Sequence, residues 1–271
     1  MHSTVVIVGL GEVGKPLLEI MKGRYRTFGV DINQPAPVAQ CDVMHICFPF
    51  QSDKFVRQVV EYIHQYRPAL SIINSTVAPG TTRSIAVESG TAVVHSPVRG
   101  KHARMQAEML HYAKFVGALD QQSGQRAVKH FEEVGMKTKL LTSPEASEIA
   151  KLTETTYFGL LIAWAQEVER YCVKLGINYD EVASFYEEIK FFPPRKYFPG
   201  VIGGHCVMPN IAILRQLFSS GLLEAIVKSN TLKQKILVPM DGWARVACPW
   251  RSSVKDRNRL QTESAFGPAY V

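Results

Sequence analysis

The 271-residue sequence has few cysteines, and none of them is paired at a metal-binding spacing. The five are Cys41, Cys47, Cys172, Cys206 and Cys248. An odd, widely spaced set without a C-x-x-C pair argues against both a zinc site and a disulfide framework. We therefore predict that the protein holds no metal and works in the reducing environment of the cytoplasm.

The sequence also lacks long apolar runs and long basic blocks. Its longest apolar run, near residues 157–165, is too short to span a bilayer. The net charge is +7 at pH 7, but the basic residues are scattered along the chain. Scattered charge suits a small anionic ligand better than a nucleic acid. We thus predict that the protein binds neither a membrane nor nucleic acid.

A glycine motif stands at the start of the chain, where β-branched residues 5–8 lead into G-x-G-x-x-G. The residues that follow, 15–22, can form a helix. In such a unit the first glycine permits a tight turn, the second lets the backbone approach a pyrophosphate, and the third allows close helix–strand packing. The predicted cofactor-binding turn comprises Gly9, Gly11, Glu12, Val13 and Gly14.

An acidic residue follows the next predicted strand. Asp31 stands 17 residues after Gly14 and ends the apolar stretch 28–30. A carboxylate at this position can accept a hydrogen bond from a ribose 2′-hydroxyl and would repel a 2′-phosphate. The sequence therefore predicts NAD as the cofactor rather than NADP.

The first half of the chain alternates strand and helix patterns. The predicted strands are 4–8, 27–30, 42–48, 69–74, 92–95, 114–118 and 137–141, and the predicted helices are 15–22, 52–65, 81–89 and 122–134. This alternation predicts an α/β fold with a Rossmann-like, doubly wound parallel sheet. Ligands of such sheets bind beyond the C-terminal strand ends, which places Pro49, Ser75 and Thr76 beside the glycine turn.

The pattern changes after residue 142. Ser143 can cap a helix, Pro144 suits its first position, and Glu145 complements its dipole. Helical periodicity continues to Leu175 and stops at Gly176, which predicts one helix of about thirty residues. Further helices are predicted at 179–190, 210–218 and 222–237, with a loop at 191–205.

These patterns predict three segments. Residues 1–142 would form an NAD-binding Rossmann domain, and residues 143–240 a smaller all-helical domain built on the long helix. Residues 241–271 show no convincing helix or strand pattern, so we expect a poorly ordered tail.

The sequence resembles the UDP-glucose/GDP-mannose dehydrogenase family in six segments that follow the order and spacing of the family. They are 5–16, 42–49 (DVMHICFP), 75–82 (STVAPGTT), 148–167 (EIAKLTETTYFGLLIAWAQE), 174–182 (KLGINYDEV) and 199–206 (PGVIGGHC). The segments 75–82 and 199–206 are the most specific. The resemblance implies a Rossmann domain and a helical domain whose long helix forms a homodimer and helps to bind the substrate.

The resemblance also implies chemistry. Family members oxidise the C6 alcohol of a nucleotide sugar to a carboxylate with two NAD, so a nucleotide sugar or another anionic alcohol is the expected substrate. Cys206 would be the nucleophile that carries a thiohemiacetal and then a thioester, and Lys151 would stabilise the oxyanion. Thr155 and Asn210 stand where the family has Asn and Asp for proton transfer and water. Thr76 could hydrogen-bond the cofactor or water.

Several departures from the family leave alternatives open. Val98 stands where the family has Glu and cannot move a proton, and Asn210 cannot act as a base. An unpatterned tail stands where the family has a nucleotide-holding domain. The alternatives are an NAD-binding homologue without turnover, regulatory or degenerate, and a single-step alcohol dehydrogenase of the 3-hydroxyacid type. A basic cluster on the ligand rim could hold an anion or be a solvated loop: Arg99, Lys101, His102 and Arg104.

Overall fold

The computed structural model describes residues 3–32, 35–51, 53–100, 104–187, 201–202 and 219–237, with Met208, Ile211 and Arg215. The chain divides into two compact units, Met1–Ala163 and Trp164–Val271. This division falls inside the long helix, whereas the sequence predicted a domain boundary before that helix begins. The predicted tail, 241–271, lies outside the described residues.

The first unit contains a seven-stranded sheet with the order β2-β1-β3-β4-β5-β6-β7. The strands are β1 Thr4–Val8, β2 Arg26–Val30, β3 Val43–Ile46, β4 Leu70–Ile73, β5 Val93–His95, β6 Lys114–Ala118 and β7 Thr138–Leu141. Neighbours from β2 to β5 are parallel, β6 is antiparallel to β5, and β7 is parallel to β6. The predicted doubly wound α/β fold is therefore confirmed, with its last two strands reversed.

Helices connect these strands. They are α1 Gly14–Lys22, α2 Asp53–Tyr66, α3 Thr81–Ser89, α4 Met105–His111 and α5 Gln121–Glu132, and α6 Pro144–Leu175 follows β7. The sequence pattern did not predict α4. This helix lies between β5 and β6, the connection at which the strand direction reverses.

Each face of the sheet has its own apolar core. In β1, Val5 and Ile7 belong to a core that includes residues of α1, α4 and α5, and Val6 and Val8 belong to a core that includes residues of α2 and α3. This alternation follows from the two-residue period of a strand. Because both faces are covered, the central strands are apolar throughout, as in buried parallel sheets.

The second unit is helical in its described part. It contains the C-terminal part of α6, then α7 Tyr179–Glu187 and α8 Gly221–Leu237. The long helix and the last helix predicted from the sequence are thus confirmed, whereas most of 191–205 and 210–218 lies outside the described residues. Tyr171, Ile211 and Leu223 form a small buried core. In the part of the chain that the structure describes, no helix is long and apolar enough to cross a membrane.

Candidate functional site

The predicted glycine turn connects β1 to α1 at the C-terminal edge of the sheet. Gly9 has a φ of +91°, and its Cβ would lie 2.8 Å from the backbone nitrogen of Phe48. A Cβ on Gly14 would overlap the carbonyl oxygen of Gly9. The turn is therefore so close to itself and to the end of β3 that these two positions require glycine.

At Gly11, by contrast, close contact with the backbone does not explain the glycine. Among the residues that the structure describes, no atom lies within 4 Å of a Cβ added to Gly11, so the space over it is open there. The chain leaves β1 for β2 on one side and then crosses to β3 on the other, so the turn stands at the switch point where ligands of such sheets bind. A glycine that the packing of the fold does not require, and that faces open space at this point, is typical of a backbone that a ligand approaches closely.

The other predicted cofactor residues lie at the same edge of the sheet. Asp31 follows β2, is exposed, and accepts a hydrogen bond from the Ile32 amide at 2.9 Å. Ser75, after β4, donates to the carbonyl oxygen of Phe48 at 2.6 Å and so joins the ends of β4 and β3. Four further residues complete the rim: Glu12, Pro49 and Thr76, which are exposed, and Val13, which is half-buried. Their binding of a cofactor stays a prediction.

Glu148 fixes the first turns of α6 to α3. Its buried carboxylate accepts hydrogen bonds from the Gly80 amide at 2.7 Å, the Thr82 amide at 2.9 Å and the Thr82 hydroxyl at 2.7 Å. The N-cap of α3 is Gly80, which has no side chain to accept these donors, so a carboxylate from α6 caps the helix instead. One turn earlier, Glu145 pairs with Arg83 at 2.6 Å. These contacts hold the start of α6 beside the C-terminal edge of the sheet.

Ser147 joins α6 to the strand ends through His95. The His95 Nδ1 atom is 2.6 Å from Ser147 Oγ, and Nε2 is 3.1 Å from the carbonyl oxygen of Ser75. Burial lowers the pKa of His95 to about 4, so the ring is neutral near pH 7. Because a carbonyl only accepts, Nε2 carries the proton and Nδ1 accepts from the Ser147 hydroxyl. A Cβ on Gly117 would overlap Ser147 Oγ, which explains the glycine in β6.

Lys151 follows Glu148 by three residues and lines a pocket of about 190 Å³ within the first unit. The other lining residues are Pro97, Arg99, Phe115, Ser147, Ala150 and Glu154. They come from the segment after β5, from β6 and from the first turns of α6. The pocket is thus assembled from parts of the chain that are distant in sequence.

Three charged groups share this pocket. The Lys151 ammonium is 3.9 Å from a Glu154 oxygen, and the other oxygen of Glu154 accepts from Arg99 Nε at 2.9 Å and Nη2 at 2.5 Å. Burial lowers the pKa of Lys151, Glu154 opposes this shift, and Arg99 adds to it. A half-buried lysine of this kind can accept a proton when neutral and hold an anionic oxygen when charged.

Two of the predicted catalytic residues, Cys206 and Asn210, lie outside the described residues. Thr155 is exposed, and its hydroxyl contacts the carbonyl oxygens of Lys151 at 3.1 Å and Leu152 at 3.0 Å within its own helix. It does not line the Lys151 pocket. The catalytic roles of these residues, and of Thr76 and Lys151, stay predictions.

Sequence reasoning missed Glu154 as a pocket residue, although its spacing from Lys151 signals it. Residues three apart lie on the same face of a helix, so a carboxylate beside the Lys151 amine could have been expected. Within the predicted basic cluster, Arg99 lines the pocket while Arg104 pairs with Glu108 at 2.8 Å. The other two members, Lys101 and His102, lie outside the described residues.

Comparison with known sequences identifies relatives. Residues 145–232 match the central domain of the UDP-glucose/GDP-mannose dehydrogenase family. The UDP-N-acetyl-D-mannosamine dehydrogenase of Methanocaldococcus jannaschii is 28% identical over 180 residues, which is 64% of this chain and 41% of that protein. The enzyme of the same name from Pyrococcus horikoshii is 27% identical over 227 residues, with coverage of 71% and 53%. The chain spans about half the length of the curated relatives it matches.

Comparison with solved structures gives the same fold. A GDP-mannose dehydrogenase from Pseudomonas aeruginosa superposes with a TM-score of 0.68 at 18% identity, covering 85% of this chain and 69% of its own. The family model and the relatives agree with this shared fold. The chain is thus similar to the UDP-glucose/GDP-mannose dehydrogenase family in sequence over residues 145–232, and it shares the fold of that solved structure.

Proposed function

We propose that the protein is an NAD-dependent oxidoreductase that oxidises an alcohol group of a nucleotide sugar, with Lys151 at the reacting oxygen. The observation that carries this proposal is the Lys151 pocket, which contacts within the first unit fix to the edge of the sheet that bears the glycine turn. The names of the relatives, dehydrogenases of UDP-N-acetyl-D-mannosamine and of NDP-N-acetyl-D-galactosaminuronic acid, support the substrate class.

The glycine turn fits the pyrophosphate of NAD. Open space over Gly11 lets a phosphate approach the backbone, and the N-cap residue of α1, Val13, offers no side-chain acceptor of its own. The first turn of α1 contains no acidic residue that would repel a phosphate. Asp31 would accept hydrogen bonds from the ribose. When bound, NAD supplies the acceptor for the hydride.

Lys151 acts on the substrate hydroxyl. As an amine it accepts the hydroxyl proton, and as the resulting ammonium it holds the oxygen while the C–H bond breaks and its electron pair leaves as hydride. The lowered pKa of Lys151 raises the fraction of amine near neutral pH. Because Arg99 binds Glu154 closely, the carboxylate does not hold Lys151 permanently in an ion pair.

The remaining roles rest on the family resemblance alone. Cys206 would add to the aldehyde and carry the second oxidation, with Thr155, Asn210 and Thr76 as polar groups near the reaction. The first unit would bind the cofactor, and the helical part would form a cytoplasmic homodimer. These assignments belong to the same proposal.

A second candidate is an NAD-binding protein without turnover. Val98 is a specific observation in its favour, because this side chain packs against the core on the α1 face and does not line the Lys151 pocket. The position therefore offers no proton-transfer group to a substrate. A single-step alcohol dehydrogenase would be the intermediate case.

The test measures NADH formation with NAD and a panel of nucleotide sugars that includes UDP-N-acetyl-D-mannosamine. Lys151→Met should lower the rate by about 10²- to 10³-fold, as for the loss of one oxyanion donor. Lys129→Met is the matched control because Lys129 is 80% exposed in α5, and its rate should equal that of the wild type. Calorimetry should show NAD binding by both variants.

Each other outcome selects an alternative. Equal rates in the wild type and Lys151→Met would remove Lys151 from the chemistry. NAD binding without any NADH formation would favour the protein without turnover. One NADH per substrate, rather than two, would identify a single oxidation.

A further inference from the structure

Lys114, the first residue of β6, is buried although it carries an amine. It is 3% exposed, and its Nζ donates to the carbonyl oxygen of Ser96 at 2.7 Å, to Asn74 Oδ1 at 3.2 Å and to the carbonyl oxygen of Pro97 at 3.4 Å. All three acceptors are neutral, and the described contacts of Nζ include no carboxylate. A charge buried without a counter-ion is costly, so its hydrogen bonds must compensate for the lost hydration.

The three acceptors match the three donors of an ammonium group. A neutral amine keeps two N–H bonds, so deprotonation of Lys114 would leave one acceptor without a partner. The Phe131 ring, whose centroid is 5.0 Å from Nζ, offers further attraction to the charged form. The number of acceptors therefore matches the ammonium, whereas burial opposes the charged form and lowers its pKa.

Lys114 also sets the direction of a buried chain of hydrogen bonds. Because Nζ only donates, Asn74 must turn its oxygen to Lys114 and its amide nitrogen to His45 Nδ1, which lies 3.1 Å away. His45 therefore carries its proton on Nε2 and donates to His130 Nε2 at 2.9 Å. One donor-only group at the end of this hydrogen-bond chain thus orders three neutral side chains, one directly after β4 and the others in β3 and α5.

One of the three acceptors of Lys114 belongs to a residue that lines the Lys151 pocket. Pro97 lines the pocket, and the Val98 amide donates to the Asn74 carbonyl oxygen at 3.4 Å. The next residue, Arg99, binds Glu154 beside Lys151. The segment 96–99 thus accepts hydrogen bonds from Lys114, donates one to Asn74, and contributes Pro97 and Arg99 to the pocket.

We propose that Lys114 is a positioning residue whose Nζ hydrogen bonds hold the segment 96–97, which contributes Pro97 to the Lys151 pocket. The effect of this contact on catalysis rests on the proposed function, whereas the structural contact between Lys114 and the segment does not. Removal of these hydrogen bonds should loosen this segment while the rest of the sheet keeps its packing.

Of the titratable groups described around Lys114, Lys114 itself is the one that changes charge near pH 7. Burial lowers the pKa of Lys114 to about 7, with Cys47 opposing and the Lys151 ammonium adding to the shift. Burial raises the pKa of Cys47 to about 12, lowers the pKa of His130 to about 4, and lowers the pKa of His45. The thiol and both imidazoles are therefore neutral at pH 7, whereas Lys114 changes charge there.

The test is amide hydrogen exchange of the full chain, read at Val98 and at the rest of the sheet. Lys114→Met should speed exchange at Val98 by about tenfold or more without a matching change at other strands, because a local opening becomes cheaper. Lys114→Arg keeps the charge and the donors, so it should restore most of the protection. Lys137→Met replaces an exposed lysine and should change nothing.

The wild type gives a second reading that needs no substitution. Opening that releases Lys114 into water would return its pKa from about 7 towards its usual 10.5, so the open state would bind more protons. From about pH 6 to about pH 9, protection at Val98, corrected for intrinsic exchange, should therefore rise with pH. If Lys114→Met does not fold, this series decides alone. Protection that is independent of pH, or lost equally across the sheet in Lys114→Met, would overturn the proposal. Neither reading needs NAD or turnover, so failure of the proposed function remains distinguishable.

Discussion

The glycine turn and the Lys151 pocket lie in the same unit, but they are built in opposite ways. The turn is one continuous segment that depends on missing side chains, since a Cβ at Gly9 or Gly14 would meet backbone atoms. The pocket depends on side chains, and it brings Arg99 and Phe115 to Lys151 from distant parts of the chain. The turn should therefore fail when an atom is added, and the pocket when a charge or hydrogen bond is removed.

The largest effect is expected from Gly14→Ala in the turn. Helix propensity alone would favour alanine by about 1 kcal/mol. The added Cβ would overlap the Gly9 carbonyl oxygen, so we expect a net loss of about 3 kcal/mol in unfolding free energy. Urea denaturation measures this loss. Stability equal to that of the wild type would mean that the turn is less tight than the distances indicate.

The difference between a local turn and a pocket of distant residues also determines which features the sequence could predict. The turn was predictable because glycine spacing and flanking apolar residues are local, and Asp31 followed from its distance along the chain. The strands were predictable because each apolar run is bounded by polar residues or glycine. The reversal of β6 and β7 was not, since an apolar pattern is the same in either direction. The short α4, with seven residues, offers too little periodicity to detect.

The pocket was only partly predictable. Lys151 was found through the motif around it, and Glu154 could have been found from helical spacing. The contact between Lys114 and Ser96 joins β6 to the residue after its antiparallel neighbour β5, so no spacing rule points to it. Lys114 instead resembles an ordinary polar residue at the start of a strand. Such contacts depend on the order of the strands in the sheet, and a local sequence pattern carries no information about that order.

The pocket, unlike the turn, should respond to acid through His95. Its pKa is 6.5 unfolded and about 4 folded, so the stability from its neutral ring is complete above pH 6.5 and is lost as pH falls towards 4. This amounts to roughly 2 kcal/mol between about pH 7 and about pH 5. Urea denaturation at both pH values measures the loss.

A substitution assigns this loss to the pocket. His95→Gln should reduce the pH dependence, whereas His64→Gln, at an exposed position in α2, should leave it unchanged. Part of the dependence should remain in His95→Gln, because burial also lowers the pKa of His130 to about 4. An unchanged slope in His95→Gln would show that the ring does not titrate as its burial indicates.

A smaller loss is expected where α6 is fixed beside the pocket. Glu148→Gln removes a buried charge that accepts from the Gly80 and Thr82 amides, and it turns an amide donor towards one of these donors. We expect a loss of about 1.5 kcal/mol, measured by urea denaturation. Glu145→Gln is the matched control one turn away. Its partner Arg83 is 55% exposed, so about 0.5 kcal/mol or less is expected. Equal losses in the two variants would contradict a special role for the buried cap.

The smallest effect on stability is expected from Gly11→Ala, which separates the ligand from the fold. No atom of the described part of the chain lies within 4 Å of the added Cβ, so unfolding free energy should change by less than about 0.5 kcal/mol. The methyl group would nevertheless occupy the space in which a pyrophosphate approaches the backbone, so NAD affinity should fall by about tenfold in calorimetry. Gly23→Ala, at the other end of α1, should leave NAD affinity unchanged, because its Cβ would lie 3.4 Å from the nearest atom, the Ile20 carbonyl oxygen. If Gly11→Ala binds NAD as tightly as the wild type, the open space over this glycine does not receive the cofactor, and the turn is a structural feature alone.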